Sequence, residues 1–169
     1  MKLDLVPFPG SAAPDGVRLA AELGREGSVL LARWQLADPL GAIACPPAAA
    51  APARRFALWE ATCFELFLAA DGVPGYWELH LAPAGDWNVY RLDGYRQGLR
   101  EEPAVLASPA VGAGAIAFDA AVLGVGDRSW RLGVAAVLAR PDGGMTYWAA
   151  AHPGAEADFH HPEAFVIAL

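Results

Sequence analysis

The chain has 169 residues, of which 55% are hydrophobic and 18% charged, with a formal net charge of −7. That length suits one domain with a sizeable core, and the acidic balance excludes a phosphate-tracking surface, because nucleic-acid binding draws on clustered Lys and Arg that release counterions. Two cysteines, Cys45 and Cys63, are too few for a disulfide framework and lack CxxC spacing; both are read as reduced thiols, with Cys63 buried.

The opening MKLDLVPFPG breaks its apolar stretch with Pro7, Pro9 and Gly10, so no export signal is expected and the expected location is cytoplasmic. Residues 17–23 then alternate with the odd positions apolar, and in 30–36 Leu30, Ala32, Trp34 and Leu36 share one face; both read as strands with one core face. The Ala- and Pro-rich stretch 44–53, broken by Pro46, Pro47 and Pro52, is too short to span a bilayer and predicts an exposed loop without ladder bonds. Further strands are expected at 63–68, 76–81, 87–92, 115–118, 130–139, 145–150 and 165–169. The one helical hint is 119–123, where Asp119 could cap a single turn. Nine strands separated by Gly- and Pro-rich turns predict an all-β fold: a two-sheet antiparallel β-sandwich of immunoglobulin-like or jelly-roll type, with at most one short helix, formed by residues 1–169 as a single domain.

The hairpin CFELFL (63–68) and YWELHL (76–81) carries the most chemistry. Phe64, Leu66 and Leu68 set the core face of its first strand, and Trp77, Leu79 and Leu81 that of its second, which leaves Glu65, Glu78 and His80 together on the opposite face. Two carboxylates and an imidazole on one sheet face can orient sugar hydroxyls, act as acid and base, or bind a cation. The alternative is a solvated outer face, the common fate of charges on antiparallel sheets.

Of six tryptophans, Trp34, Trp77 and Trp130 alternate with aliphatics and read as core, while Trp59, Trp87 and Trp148 stand at strand ends or in mixed company. The tail gathers Asp158, His160 and His161 between prolines. It reads as a hydrogen-bonded loop clamp, with a metal site as the minority reading, since adjacent histidines point apart and no second ligand pair has structural-zinc spacing. There is no GxSxG, GxGxxG, P-loop or HExxH.

The runs LWEATCFELF (58–67), YWELHLAPAGDWNVYR (76–91), GYR (94–96) and DFHHP (158–162) resemble the DOMON-like bacterial proteins, small relatives of the family 9 carbohydrate-binding modules. The resemblance covers most of the chain from about residue 55 onward. It implies a sandwich whose wider superfamily binds sugars or haem on one sheet without catalysis. In the sugar-binding modules two Trp rings sandwich the sugar, and acidic, amide and Arg groups take its hydroxyls; Trp59, Glu65 and Arg96 match these roles, and Trp148 is the best match for the second ring. The haem-binding relatives use Met and His as axial ligands, for which Met145 is the available Met here, with no His placed opposite it.

The expected function is therefore non-catalytic binding of a small molecule, a carbohydrate or related polyhydroxy compound, with Trp59, Glu65, Glu78, His80, Trp87, Arg96 and Trp148 as ligand-binding candidates. No cofactor is expected, nor a nucleic-acid or membrane partner; a homodimer is compatible. The alternatives are a haem-binding or protein-interaction domain, or a glycan-acting enzyme using Glu65 and Glu78 as its carboxylate pair. Glu65 between Cys63 and Phe67 would need a partner to offset its desolvation, and Arg96 is the expected one. Gly133 and Ala135 are expected to leave space above the sheet for a ligand.

Overall fold

The computed structural model describes residues 1–27, 29–103, 105–112, 115–122 and 128–169, with the two strands inside 105–122 described as backbone. Twelve strands follow in chain order: β1 (Lys2–Pro7), β2 (Arg18–Glu26), β3 (Val29–Ala37), β4 (Cys63–Ala70), β5 (Tyr76–Leu81), β6 (Trp87–Leu92), β7 (Arg100–Glu101), β8 (Val105–Gly112), β9 (Ala115–Val122), β10 (Trp130–Ala139), β11 (Met145–Ala149) and β12 (Ile167–Ala168). Single 3₁₀ turns at Leu58–Glu60 and Pro162–Ala164 are the only helical elements among the described residues.

All named ladders are antiparallel and form two sheets. One runs β7-β6-β5-β4-β10-β11, with β12 beside the start of β10, and the other runs β2-β3-β9-β8. β1 joins them at a corner, since Lys2–Leu5 pair with β2 whereas Val6 and Pro7 pair with β11. The fold is the expected all-β sandwich. Between the sheets lie Leu19, Leu23, Leu30 and Trp34 from one side and Phe64, Leu66, Leu79 and Leu132 from the other; each such side chain contributes roughly 1.5–3 kcal/mol by leaving water.

The alternation that defines these strands also fixes which residues face away from that core. The outer face of the first sheet is only partly open to solvent. A second apolar cluster covers part of it, in which Phe67, Tyr76, Tyr90 and Ala135 pack beneath Ala164 and Phe165 of the C-terminal tail, with Trp59 and Phe159 at its margin. β4 and β5 are therefore buried on both faces.

Three expectations are corrected and one holds. The helical turn at 119–123 is absent over 119–122, which belong to β9; pairing with β3 and β8 on both sides outweighs a short Ala-rich propensity, and Leu123 lies outside the described residues. The final strand is only Ile167–Ala168, with Phe165 packed on the outer face. Stretch 44–53 is the expected loop without a strand or bridge, anchored by Ala44 N donating to Ala139 O, Ala49 N to Ala84 O, and Trp87 N to Ala53 O beside an isolated bridge at Arg54. The space expected above Gly133 is filled by the chain itself, because a Cβ there would meet the Phe165 ring at 3.0 Å.

Candidate functional site

Register brings the polar residues of the outer face together. Glu65 of β4 is paired with Ala135 of β10 and with His80 of β5, and His80 in turn with Asn88 of β6. One row along, Gly133, Phe67, Glu78 and Tyr90 are aligned in the same way. Glu65, Glu78 and His80 thus share one face, and they are not solvated: Glu65 is 3% exposed, Glu78 5% and His80 0%.

Their burial is made by two segments distant in sequence. The 3₁₀ turn Leu58–Glu60 sets the Trp59 ring edge-on to His80 at 5.4 Å and to Tyr90 at 5.7 Å. From the other side the tail brings His160, whose Nδ1 is 2.8 Å from the Tyr76 hydroxyl and whose Nε2 is 4.0 Å from Glu78. Ala57 and Arg96, beside and within this region, are the non-glycine residues with left-handed backbone among those described, at φ 59° and 53°, a conformation that costs an ordinary side chain roughly 1–2 kcal/mol.

Between these segments lies a cavity of about 450 Å³, lined by Trp59, Glu65, Glu78, Arg96, Tyr147 and Phe159, among others. Behind the lining carboxyls, His80 Nε2 is 2.7 Å from Glu78 Oε1 and 3.9 Å from Glu65 Oε1. Burial pushes the Glu65 carboxyl up to about 7; His80 opposes that rise and Glu78 adds to it. Burial alone would lower the His80 pKa, but Glu65 and the hydrogen bond to Glu78 outweigh it, so the imidazole is held above its ordinary value. Burial lowers that of His160. An acidic floor with mixed donor and acceptor character beneath an aromatic wall can take hydroxyl groups, exchange a proton, or hold a cation.

The candidate residues divide. Trp59, Glu65, Glu78 and Arg96 line the cavity, and His80 lies buried behind Glu78, to which it is hydrogen-bonded. Trp148 does not reach it: it packs in the core between the sheets, where its Nε1 donates to Thr146 Oγ1 at 3.0 Å and Thr146 donates to Leu138 O. That satisfied hydroxyl lets a strand face carrying Thr turn inward. Trp87 also faces the core side, half-buried, with the Arg54 guanidinium 4.5 Å over its ring. Arg96 does not offset Glu65; its guanidinium pairs with Asp158 at 2.8 Å, and Glu65 has His80 instead.

Of the tail residues, Asp158 accepts from the Tyr95 hydroxyl, the Arg96 guanidinium and the His160 amide, while His161 Nδ1 accepts from the Glu163 amide. The three residues do not gather as a ligand set; among the described residues the group of potential metal donors is Cys63, Glu65 and His80. Sequence reading did not anticipate Tyr147, Phe159 and His160 as cavity walls. The outward parity of Tyr147 and the density of aromatics around His160 were the available signals.

No family model matches the chain, and no curated protein matches it. Among solved structures, its fold is similar to that of a proposed carbohydrate-binding protein from Bacteroides uniformis, with a TM-score of 0.67 over 98% of this chain and 83% of that one, at 12% sequence identity. At that identity the likeness establishes a shared β-sandwich architecture.

Proposed function

We propose that this chain is a non-catalytic binding module of the DOMON-like kind, whose cavity takes a hydroxyl-rich small molecule, a carbohydrate or related polyhydroxy compound. The observation that carries the reading is the cavity itself: about 450 Å³ falls within the roughly 300–1,000 Å³ of ligand sites that enclose small molecules. Its buried carboxyls offer acceptors for hydroxyl groups, and the Trp59 ring supplies the apolar face that a sugar ring can cover. The Arg96 guanidinium at the rim is engaged by Asp158, which favours a neutral ligand over an anionic one. The likeness in fold to a proposed carbohydrate-binding protein is in keeping with this reading.

Calorimetric titration of a panel of mono- and disaccharides tests it. Binding by the wild type that is lost in Glu65→Ala and weakened about tenfold in Trp59→Ala is the expected result. If no saccharide, haem or nucleotide binds the folded protein at millimolar concentration, the reading fails and an interaction domain replaces it. A second reading, a glycan-acting enzyme, is favoured by one observation, a carboxyl held at about 7 close to a second carboxylate. Release of nitrophenol from a panel of nitrophenyl glycosides, abolished in both Glu65→Gln and Glu78→Gln, would establish it instead.

A further inference from the structure

Behind Glu65, which lines the cavity, lie two further donors, Cys63 and His80. Cys63 and Glu65 are two residues apart on β4 and so share its outer face, and His80 is paired with Glu65 across the ladder. One sulfur, one carboxylate oxygen and one imidazole nitrogen from these residues lie within 4.8 Å of one another, and all three residues are buried.

His80 supplies an independent sign of a ligand. Glu78, as a carboxylate, only accepts, so at 2.7 Å the His80 Nε2–H donates to it. In the neutral imidazole that bond fixes the proton on Nε2 and leaves a lone pair on Nδ1. Nδ1 is buried and has no hydrogen-bond partner among the described residues. Histidines that bind metals typically have one ring nitrogen held by a carboxylate, which leaves the other for the ion.

We propose that Cys63 Sγ, a Glu65 carboxylate oxygen and a His80 ring nitrogen form a binding site for a divalent transition-metal ion of zinc's class, with Glu78 as the residue that orients His80. The donor chemistry selects the metal: thiolate and imidazole suit zinc, whereas calcium and magnesium take oxygen ligands. Closing the three donors onto one ion at roughly 2.0–2.3 Å draws them together by about an ångström. Binding converts the Cys63 thiol to a thiolate and displaces any proton on the Glu65 carboxyl and on the ligating His80 nitrogen; these protons leave to solvent. Without a cation the thiol is held neutral by burial and by the neighbouring Glu65; a dication reverses both influences. Glu65 lines the cavity, so the site adjoins it. The inference does not rest on the carbohydrate reading, although Glu65 belongs to both.

The test uses full-length protein stripped with a chelator, reconstituted with zinc chloride, passed over a desalting column and assayed for retained metal. About one zinc per chain is expected in the wild type, with strong loss in Cys63→Ala and His80→Gln and a ten- to hundredfold weaker affinity in Glu78→Gln. Cobalt(II) substituted into the wild type should show a thiolate-to-metal charge-transfer band in the near ultraviolet. That spectrum decides the matter even if the Cys63 variant does not fold. Retention below a tenth of an equivalent, equal retention in a folded Cys63→Ala, or absence of the cobalt band overturns the proposal. Saccharide titration of the stripped and the loaded protein separates the two readings: sugar binding without zinc retention sinks the metal site alone, and zinc retention without sugar binding sinks only the carbohydrate assignment.

Discussion

Oε1 of Glu78 lies 2.7 Å from Nε2 of His80, two residues further along the same strand, and both side chains are buried from solvent. Since His80 Nδ1 already lacks a hydrogen-bond partner among the described residues, Glu78 satisfies the imidazole's other nitrogen. Glu78→Ala should therefore lower stability in urea unfolding by about 1–3 kcal/mol, the cost of leaving a buried polar group unmade. Glu78→Gln retains an acceptor and should cost less. Equal losses in the two variants would show that packing, not the hydrogen bond, is what Glu78 provides.

The pH dependence of stability follows from Glu65. Its pKa rises from 4.5 to about 7 on folding, so between those values the native state binds more protons than the unfolded one, and stability falls as pH rises. The full contribution is about 3 kcal/mol, an upper figure for a shift of this size. His80, whose pKa is raised in the fold, contributes in the same sense at higher pH: its stabilisation is present below the unfolded value and is lost as pH climbs through the folded one. Urea midpoints measured from pH 4.5 to 7.5 should decline, and Glu65→Gln should flatten the decline. Parallel profiles for the two proteins would refute this account.

Gly133 and Phe165 should be coupled. A Cβ on residue 133 would stand 3.0 Å from Cδ1 and 3.3 Å from Cε1 of the Phe165 ring, so Gly133→Ala must displace the tail and should cost about 1–3 kcal/mol. Phe165→Ala, which removes a buried ring, should cost about 3–5 kcal/mol. In the double variant the clash is gone, and the combined loss should fall short of the sum; additivity within about 0.5 kcal/mol would indicate that the ring does not pack on residue 133.

The tail clamp depends on Asp158, which holds the Tyr95 hydroxyl at 2.5 Å, Arg96 at 2.8 Å and the His160 amide at 3.1 Å. Arg96 is half-exposed, so the ion pair contributes at most about 1 kcal/mol. Asp158→Ala should accordingly leave the global melting temperature within a few degrees of wild type, yet speed amide exchange and proteolytic cleavage over 154–161. Unchanged exchange in that stretch would mean that apolar packing of Phe159 and Phe165 holds the tail unaided.

What the sequence by itself determined was strand periodicity and, through it, side-chain parity. The alternation of Phe64, Leu66 and Leu68 against Trp77, Leu79 and Leu81 was enough to put Glu65, Glu78 and His80 on one face, because a strand has only two faces and the apolar set occupies one. Local reading failed where pairing overrules composition. Residues 105–112 are not among the expected strands, yet they form β8 at the sheet's edge, where Pro109, without an N–H, is tolerated; residues 119–122 carry an Ala-rich helical signal but are held in a ladder from both sides. Only the tertiary structure decided that the polar face is buried, since its cover comes from Trp59, ahead of β4, and from Phe159, His160 and Phe165 near the C-terminus, about a hundred residues later. It also decided that Trp148 turns inward with its indole bonded to Thr146, and that Arg96 answers Asp158 while Glu65 answers His80. Parity is local and follows from backbone geometry; which segment closes over a face, and which charge meets which, depend on contacts between residues far apart in the chain, which no short window of sequence contains.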